Sequence, residues 1–285
     1  PHAVMRDYMH GLEGNTIMVN GQVNPRLSLK AGQVQRWRIL NASNARCYRL
    51  ALDGHPLHLI GTDGGLLDRP YPVSELLLSP GERVDVLVRA TRGSGSYRLK
   101  ALPYARMGMS SLQTITLLTA TYGGSLPQSL PAAVNPNARR VDPTSLGTMV
   151  AQRRSLTLSM GHANGYINGQ DFDSNPYTIM SEVGTWEIWT ILNDSGMDHP
   201  FHQHVNSGQV LAVSGGDANY AALHTGIPAW KDTVLVPKWG SVTLLIPVMD
   251  YTGMAMFHCH ILEHEDIGMM GMWHLMGEGM PMGGM

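Results

Sequence analysis

The chain has 285 residues, a length that suits about two domains, each able to bury its own core. Its 32 glycines and 17 prolines, set against only 15% charged residues, suit turn-rich β-structure and exclude a coiled coil. A net charge of −2, with 20 basic and 22 acidic residues interspersed, leaves no basic field for nucleic acid or an anionic membrane, and the longest apolar run, Val242 to Met249, is broken by Pro247. That run is far below the ~20 residues of a membrane span.

Short alternating runs bounded by Gly, Pro, Asn and Asp predict strands at Thr16–Val19, Val34–Leu40, Tyr48–Leu52, Glu75–Leu78, Val84–Val88, Ser96–Ala101 and Thr114–Thr119. The stretch 123–154 is rich in Gly, Pro, Ser, Asn and Arg and is expected to be a linker, with a short helix at 144–153. Strand spacing resumes with Ser155–Met160, Thr185–Leu192, Gln209–Val213, Asp232–Val236, Val242–Val248 and Ala255–Cys259. This spacing reads as two all-β units, Greek-key sandwiches or barrels, over 1–122 and 155–285.

The halves look like copies. Val19-Asn-Gly-Gln22 returns as Ile167-Asn-Gly-Gln170, and Trp37-Arg-Ile-Leu-Asn-Ala-Ser43 as Trp189-Thr-Ile-Leu-Asn-Asp-Ser195. His55-Pro-Leu-His58 is echoed by His199-Pro-Phe-His202, and Pro80 by Pro237. On this alignment Ile60 stands where the second half has His204, and Arg98-Leu-Lys100 where it has His258-Cys-His260. The first copy thus lacks what the second has gained, and His55 and His58 read as structural remnants of a duplicated loop.

Two clusters carry the chemistry: His199-Pro-Phe-His202-Gln-His204, and His258-Cys259-His260 followed by His264, Glu265 and Met269. Imidazole, thiolate and thioether together form a copper ligand set, and two His, a Cys and a weak axial Met form the blue-copper pattern. Side chains alternate along a strand, so Cys259 and its neighbours His258 and His260 point to opposite faces and can serve two separate metal centres. As ordinary core residues the six imidazoles would need many hydrogen-bond partners. A structural zinc site favours several cysteines, and the chain has only Cys47 and Cys259. Two cysteines also exclude a disulfide-rich scaffold. Cys47, His162, His224, Met18 and Met160 read as packed core residues, and Asp198 as a candidate for steering a cationic donor.

At these residues the chain resembles the multicopper oxidases, among them laccases and bacterial cuprous oxidases. Asn41-Ala-Ser-Asn-Ala-Arg46, Thr62-Asp-Gly-Gly-Leu-Leu67 and Ser79-Pro-Gly-Glu-Arg83 resemble the family's second cupredoxin domain. The resemblance implies two tandem cupredoxin-like domains and a type 1 copper held by His199, Cys259, His264 and axial Met269. It further implies His202 on a type 2 copper, His204, His258 and His260 on a type 3 pair, and Glu265 as a proton relay to dioxygen. A cuprous or phenolic electron donor and a periplasmic or extracellular location are implied in the same way. An axial thioether in place of an apolar residue predicts a lower reduction potential.

The family's trinuclear cluster draws on four His-x-His motifs, and this sequence holds two. The reading expects a C-terminal part of a longer oxidase, an expectation that Pro1 as first residue favours, with the missing ligands coming from an N-terminal cupredoxin domain or other subunits. The alternative is a two-domain blue-copper protein that transfers electrons without oxidase activity. Copper nitrite reductase, a third reading, lacks a His directly after the copper Cys, whereas His260 stands there. Ten of the 19 methionines fall between Met249 and Met285, and a stretch so rich in Gly and Met suggests soft ligands for incoming Cu(I).

Overall fold

A computed structural model describes residues 5–106, 113–161 and 164–277. His162 and the methionines beyond Met276 lie outside the described residues. The chain divides into two compact units, one spanning Glu13–Arg139 and the other combining residues 5–12 with Arg140 onward.

In the first unit, β1 (Arg26–Ala31), β3 (Tyr48–Leu52), β6 (Leu76–Leu78), β8 (Gly95–Leu102) and β9 (Ile115–Ser125) form one sheet in the order β1-β9-β8-β3-β6. The other sheet, in the order β2-β7-β4-β5, takes β2 (Val34–Leu40), β4 (Leu57–Thr62), β5 (Gly65–Val73) and β7 (Arg83–Arg89). Leu57, Leu59, Val86 and Val88 are fully buried, as alternation along β4 and β7 requires.

The second unit opens with α1 (Met5–His10) and, after the first unit, a short 3-10 stretch at Pro143–Met149. Its strands are β10 (Val150–Met160), β11 (Gly165–Ile167), β12 (Tyr177–Glu182), β13 (Thr185–Asp194), β14 (His199–Gln203), β15 (Gln209–Ser214), β16 (Thr233–Val236), β17 (Ser241–Val248), β18 (Gly253–Cys259) and β19 (Met270–Met276). They form sheets β11-β10-β13-β17-β15 and β12-β19-β18-β14-β16. Two helices complete it: α2 (Ala218–Gly226), whose N-terminus Asp217 caps by accepting from Tyr220 N, and α3 (Leu262–Asp266), against which α1 packs. Trp189 centres the core, with ring centroids 4.7 Å from Trp273 and 5.6 Å from Phe257. Each large side chain so buried contributes about 1.5–3 kcal/mol. Gly271 is required here, since a Cβ there would run into the Phe257 ring.

Several expectations change. Thr16–Val19 supplies only the isolated bridge Val19–Gln22, and the short helix expected at 144–153 is a 3-10 helix over Pro143–Met149 that runs into β10. The stretch 123–154 is divided between the units at Arg139: in the first, Leu126 N donates to Ala31 O and Val134 N to Asp68 O, and in the second Val141 and Gln209 exchange two hydrogen bonds. Met18 is 59% exposed and Cys47 half-buried, so neither is a core residue, whereas His224 is buried.

The internal repeat is structural, but its register differs from the sequence alignment. Both Asn-Gly turns are reproduced: Asn20 and Gly21 have φ of 50° and 76°, Asn168 and Gly169 of 52° and 75°, the left-handed pair of a type I′ turn. Leu40 pairs with Arg83 as Leu192 pairs with Ser241, and Tyr48 with Leu78 as His199 with Val236. The same bulge interrupts β4 after Leu59 and β15 after Val210, where Leu59 faces Val86 and Val210 faces Leu244. Hence His58, opposite Leu87, corresponds to Gln209, opposite Leu245, and not to His202. The counterpart of His199 is Tyr48, and Lys100-Ala101-Leu102 stands where the second unit has His258-Cys259-His260. His55 is a structural residue, its Nδ1 2.7 Å from Asp53 O and its ring edge-on to Tyr97 and Tyr122.

Candidate metal centres

Strands β14 and β18 lie side by side with Phe201 opposite Cys259 and His202 opposite His258. Alternation sends His199 and Cys259 into the core and His202 and His258 to the other face. His264 comes from α3 and Met269 from the loop before β19; all four of His199, Cys259, His264 and Met269 are fully buried. Cys259 Sγ is 3.5 Å from Nδ1 of both His199 and His264, and the two Nδ1 atoms are 3.2 Å apart.

The tautomer of His199 follows from its surroundings. Ser195 Oγ donates to Asn193 Oδ1 at 2.7 Å, which leaves its lone pairs to accept from His199 Nε2 at 2.8 Å. Nδ1 is therefore unprotonated and aimed at Cys259. Asn193 is anchored in turn by donating from Nδ2 to the carbonyls of Met197 and Val236. Met269 N donates to His264 O and Cys259 N to Met269 O, which closes the loop around the thiol. Gly165 abuts the same loop, where a Cβ would lie 2.8 Å from Met269 Cβ. Two imidazole nitrogens, a thiol and a thioether in a dry pocket fit a soft or borderline ion such as copper.

On the opposite face, ligand atoms of His202, His204 and His258 lie within 4.8 Å of one another. His258 Nδ1 donates to Cys259 O at 3.0 Å and faces Glu265 Oε2 at 3.2 Å, so its Nε2 is left facing Nε2 of His204 at 3.1 Å. His202 Nδ1 meets Asp232 O at 2.9 Å and Thr233 Oγ1 at 3.0 Å. The ring of His260 lies 5.7 Å from that of His202 and 5.9 Å from that of His258. Burial depresses the pKa of His258 to about 4 and lowers that of His204, with neighbouring imidazoles acting in the same direction. Both are thus neutral at pH 7, the form that binds a metal. Burial, then the neighbouring Asp266, raises the carboxyl of Glu265.

Asp198 is buried, and its Oδ1 accepts from Lys238 N at 2.8 Å; it is a loop brace and not an exposed steering charge. Sequence reasoning missed Ser195, Asn193 and the buried Glu187, which takes two hydrogen bonds from Arg154 and one from Trp189 Nε1. The repeated Trp-x-x-x-Asn-x-Ser was visible, but nothing in it tells that its serine reaches a histidine.

The chain matches the multicopper oxidase family over residues 3–125 and again over 139–275. It is 30% identical over 266 residues to a multicopper oxidase of Staphylococcus aureus, covering 92% of this chain and 52% of the relative. It is 32% identical over 271 residues to the cell division protein FtsP of Xenorhabdus nematophila, covering 92% and 54%. A solved laccase-like multicopper oxidase of Ochrobactrum sp., described with oxidase activity towards lignin model compounds, superimposes with a TM-score of 0.80 at 30% identity, covering 97% of this chain and 63% of that one. The chain belongs to the multicopper oxidase family, its fold is a pair of cupredoxin-like β-sandwiches, and its cofactor is copper. It spans about half the length of the curated relatives it matches.

Proposed function

We propose that this chain is the electron-accepting part of a multicopper oxidase, taking single electrons from Cu(I) or phenolic donors and passing them toward dioxygen, which is reduced to water. The observation that carries this reading is the back-to-back arrangement of Cys259 with His199 and His264 on one face and His202, His204 and His258 on the other. In this reading His199, Cys259, His264 and Met269 hold a type 1 copper. His202 belongs to a type 2 ion, and His204, His258 and His260 to a type 3 pair. Copper, when bound, supplies the one-electron redox chemistry that no side chain here can.

The residues themselves do the rest. Burial of Cys259 and the Ser195 hydrogen bond hold the ligands in one geometry before any ion arrives. The Cys259 peptide joins its thiol to His258 and His260 covalently, the shortest route from one face to the other. Glu265, with its raised carboxyl beside His258, holds and releases protons on the dioxygen side.

Only two His-x-His motifs occur in the chain, so we infer that the remaining cluster ligands come from polypeptide outside it or from another subunit. The same count supports a second reading, a blue-copper electron-transfer protein without oxidase activity. A location outside the cytoplasm is proposed from the family resemblance alone. The test is copper quantitation with optical spectroscopy and oxygen uptake on the purified chain. About one tightly bound copper, a blue thiolate band and little oxygen uptake are expected. Four coppers and rapid uptake would overturn the ligand count, and absence of a blue band would overturn the type 1 assignment.

A further inference from the structure

The turn between β16 and β17 differs between the repeats in a way that packing does not explain. In the first unit Ser79-Pro80-Gly81-Glu82 is closed by Glu82 N donating to Ser79 O at 3.1 Å, with Gly81 at φ 83°. In the second, Pro237-Lys238-Trp239-Gly240 is closed by Gly240 N donating to Pro237 O at 3.0 Å, with Trp239 at φ 54°. The flanking pairs Leu40–Arg83 and Leu192–Ser241 fix the equivalence of Gly81 and Trp239. A left-handed backbone favours glycine, and a bulky side chain there is an outlier that the surrounding structure must hold in place.

Folding gains little in return, because the Trp239 side chain is 69% exposed, the most exposed large apolar side chain among the described residues. Its position is specific. Trp239 N donates to Ser195 O at 3.2 Å, and its indole Cζ2 lies 3.6 Å from where a Cβ on Gly196 would be, so the ring stands over bare backbone. Ser195 in turn accepts from His199 Nε2. One backbone hydrogen bond and one residue therefore separate the exposed indole from a ligand of the proposed electron-accepting copper. Lys238 and Asp194, both exposed and of opposite sign, flank this segment, so ring stacking and not net charge sets the preference.

We propose that the Trp239 indole is a docking platform for planar aromatic donors, neutral phenols by class. This rests on the copper reading above and assigns its donor. His199, Cys259 and His264 would hold the copper, which when bound as Cu(II) would supply a one-electron acceptor; a phenol stacked at Trp239 would lose its O–H proton to water and one electron to that acceptor, becoming a phenoxyl radical.

The test compares Trp239→Gly, which restores the residue the other repeat uses, with Trp239→Phe. In the copper-loaded chain, anaerobic bleaching of the blue band by 2,6-dimethoxyphenol is measured against bleaching by ferrocyanide. The phenol-to-ferrocyanide rate ratio is expected to fall roughly three- to tenfold in Trp239→Gly and to recover largely in Trp239→Phe. A metal-free arm follows fluorescence quenching by 1,2,3-trimethoxybenzene, which is expected to be lost in Trp239→Gly. An unchanged ratio, or equal quenching in parent and variant, overturns the platform. A parent without a blue band overturns the copper reading instead, and the quenching arm still decides whether the platform exists.

Discussion

Ala101 and Cys259 occupy the same register position on the same strand of two copies of one sandwich, as do Lys100 and His258, and Tyr48 and His199. Even the support is shared: Ser43 Oγ meets Tyr48 OH at 2.9 Å as Ser195 Oγ meets His199 Nε2 at 2.8 Å. Asn41 and Asn193 brace the two loops through the carbonyls of Leu78 and Val236. The scaffold that orients His199 therefore exists in both units, and what distinguishes them is a handful of side chains, the helix α2 and the helix α3, which brings His264 to the thiol. A site of this kind needs little from its fold beyond two adjacent strands whose alternation separates two faces.

That contrast can be broken most sharply at the cysteines. Cys259→Ser should abolish the blue band of the copper-loaded chain completely while Cys47→Ser leaves it intact; a band surviving in Cys259→Ser would dissolve the distinction between the units. Next come the acceptors beneath the two repeated tryptophans. Glu187 is 1% exposed and ion-paired with Arg154, so in urea unfolding Glu187→Ala should cost about 3 kcal/mol. Its counterpart Gln35 accepts from the half-buried Trp37, and Gln35→Ala should cost about 1 kcal/mol. Equal losses would show that the second unit's buried charge is not special.

Ser195→Ala removes the partner of His199 Nε2 and should weaken copper binding by about 10–100-fold in competition titration, whereas Ser43→Ala should not alter it. The smallest effect is expected at α2, which has no helix between the matching strands of the first unit. His224 there is wholly buried, and burial, then Lys231, depresses its pKa well below the ordinary 6.5. A depressed histidine binds fewer protons folded than unfolded, so its contribution is present above pH 6.5 and is lost as pH falls below it, by up to about 1.4 kcal/mol per pH unit. Metal-free His224→Leu should show a flatter fall in stability between pH 6.5 and 5; an unchanged slope would remove His224 as its source.

The grouping of the candidate ligands was legible in the sequence because residue types and period-two alternation survive translation into structure. His258 and Cys259 alternate on β18 as predicted, and the two repeated Asn-Gly segments take the same turn. The repeat register was not legible. His-Pro-x-His appears twice by resemblance of letters, yet His55 lies in the turn after β3 and His58 on β4 of the other sheet, while the true counterpart of His199 is a tyrosine. Only hydrogen-bond pairing reveals such an equivalence. The helices were hidden for a different reason: α1 and α3 are too short for a periodic stripe, and in α2 only Tyr220 and His224 are buried.

The packing of α1 on α3 also bears on how the protein is made. Met5–His10 leaves the ribosome before the first unit and Leu262–Asp266 after it, with the whole first unit synthesised between them. The helix that carries His264 thus gains its neighbour only when the two ends of a long loop meet. Loop closure grows costlier by only about 0.6 kcal/mol per doubling of length, so distance in sequence hinders this meeting little at equilibrium. In time it matters more, because long-range contacts of this kind slow folding. The loop of His264 and Met269 is therefore the part of the chain that acquires its final surroundings late, after the first unit has had time to fold.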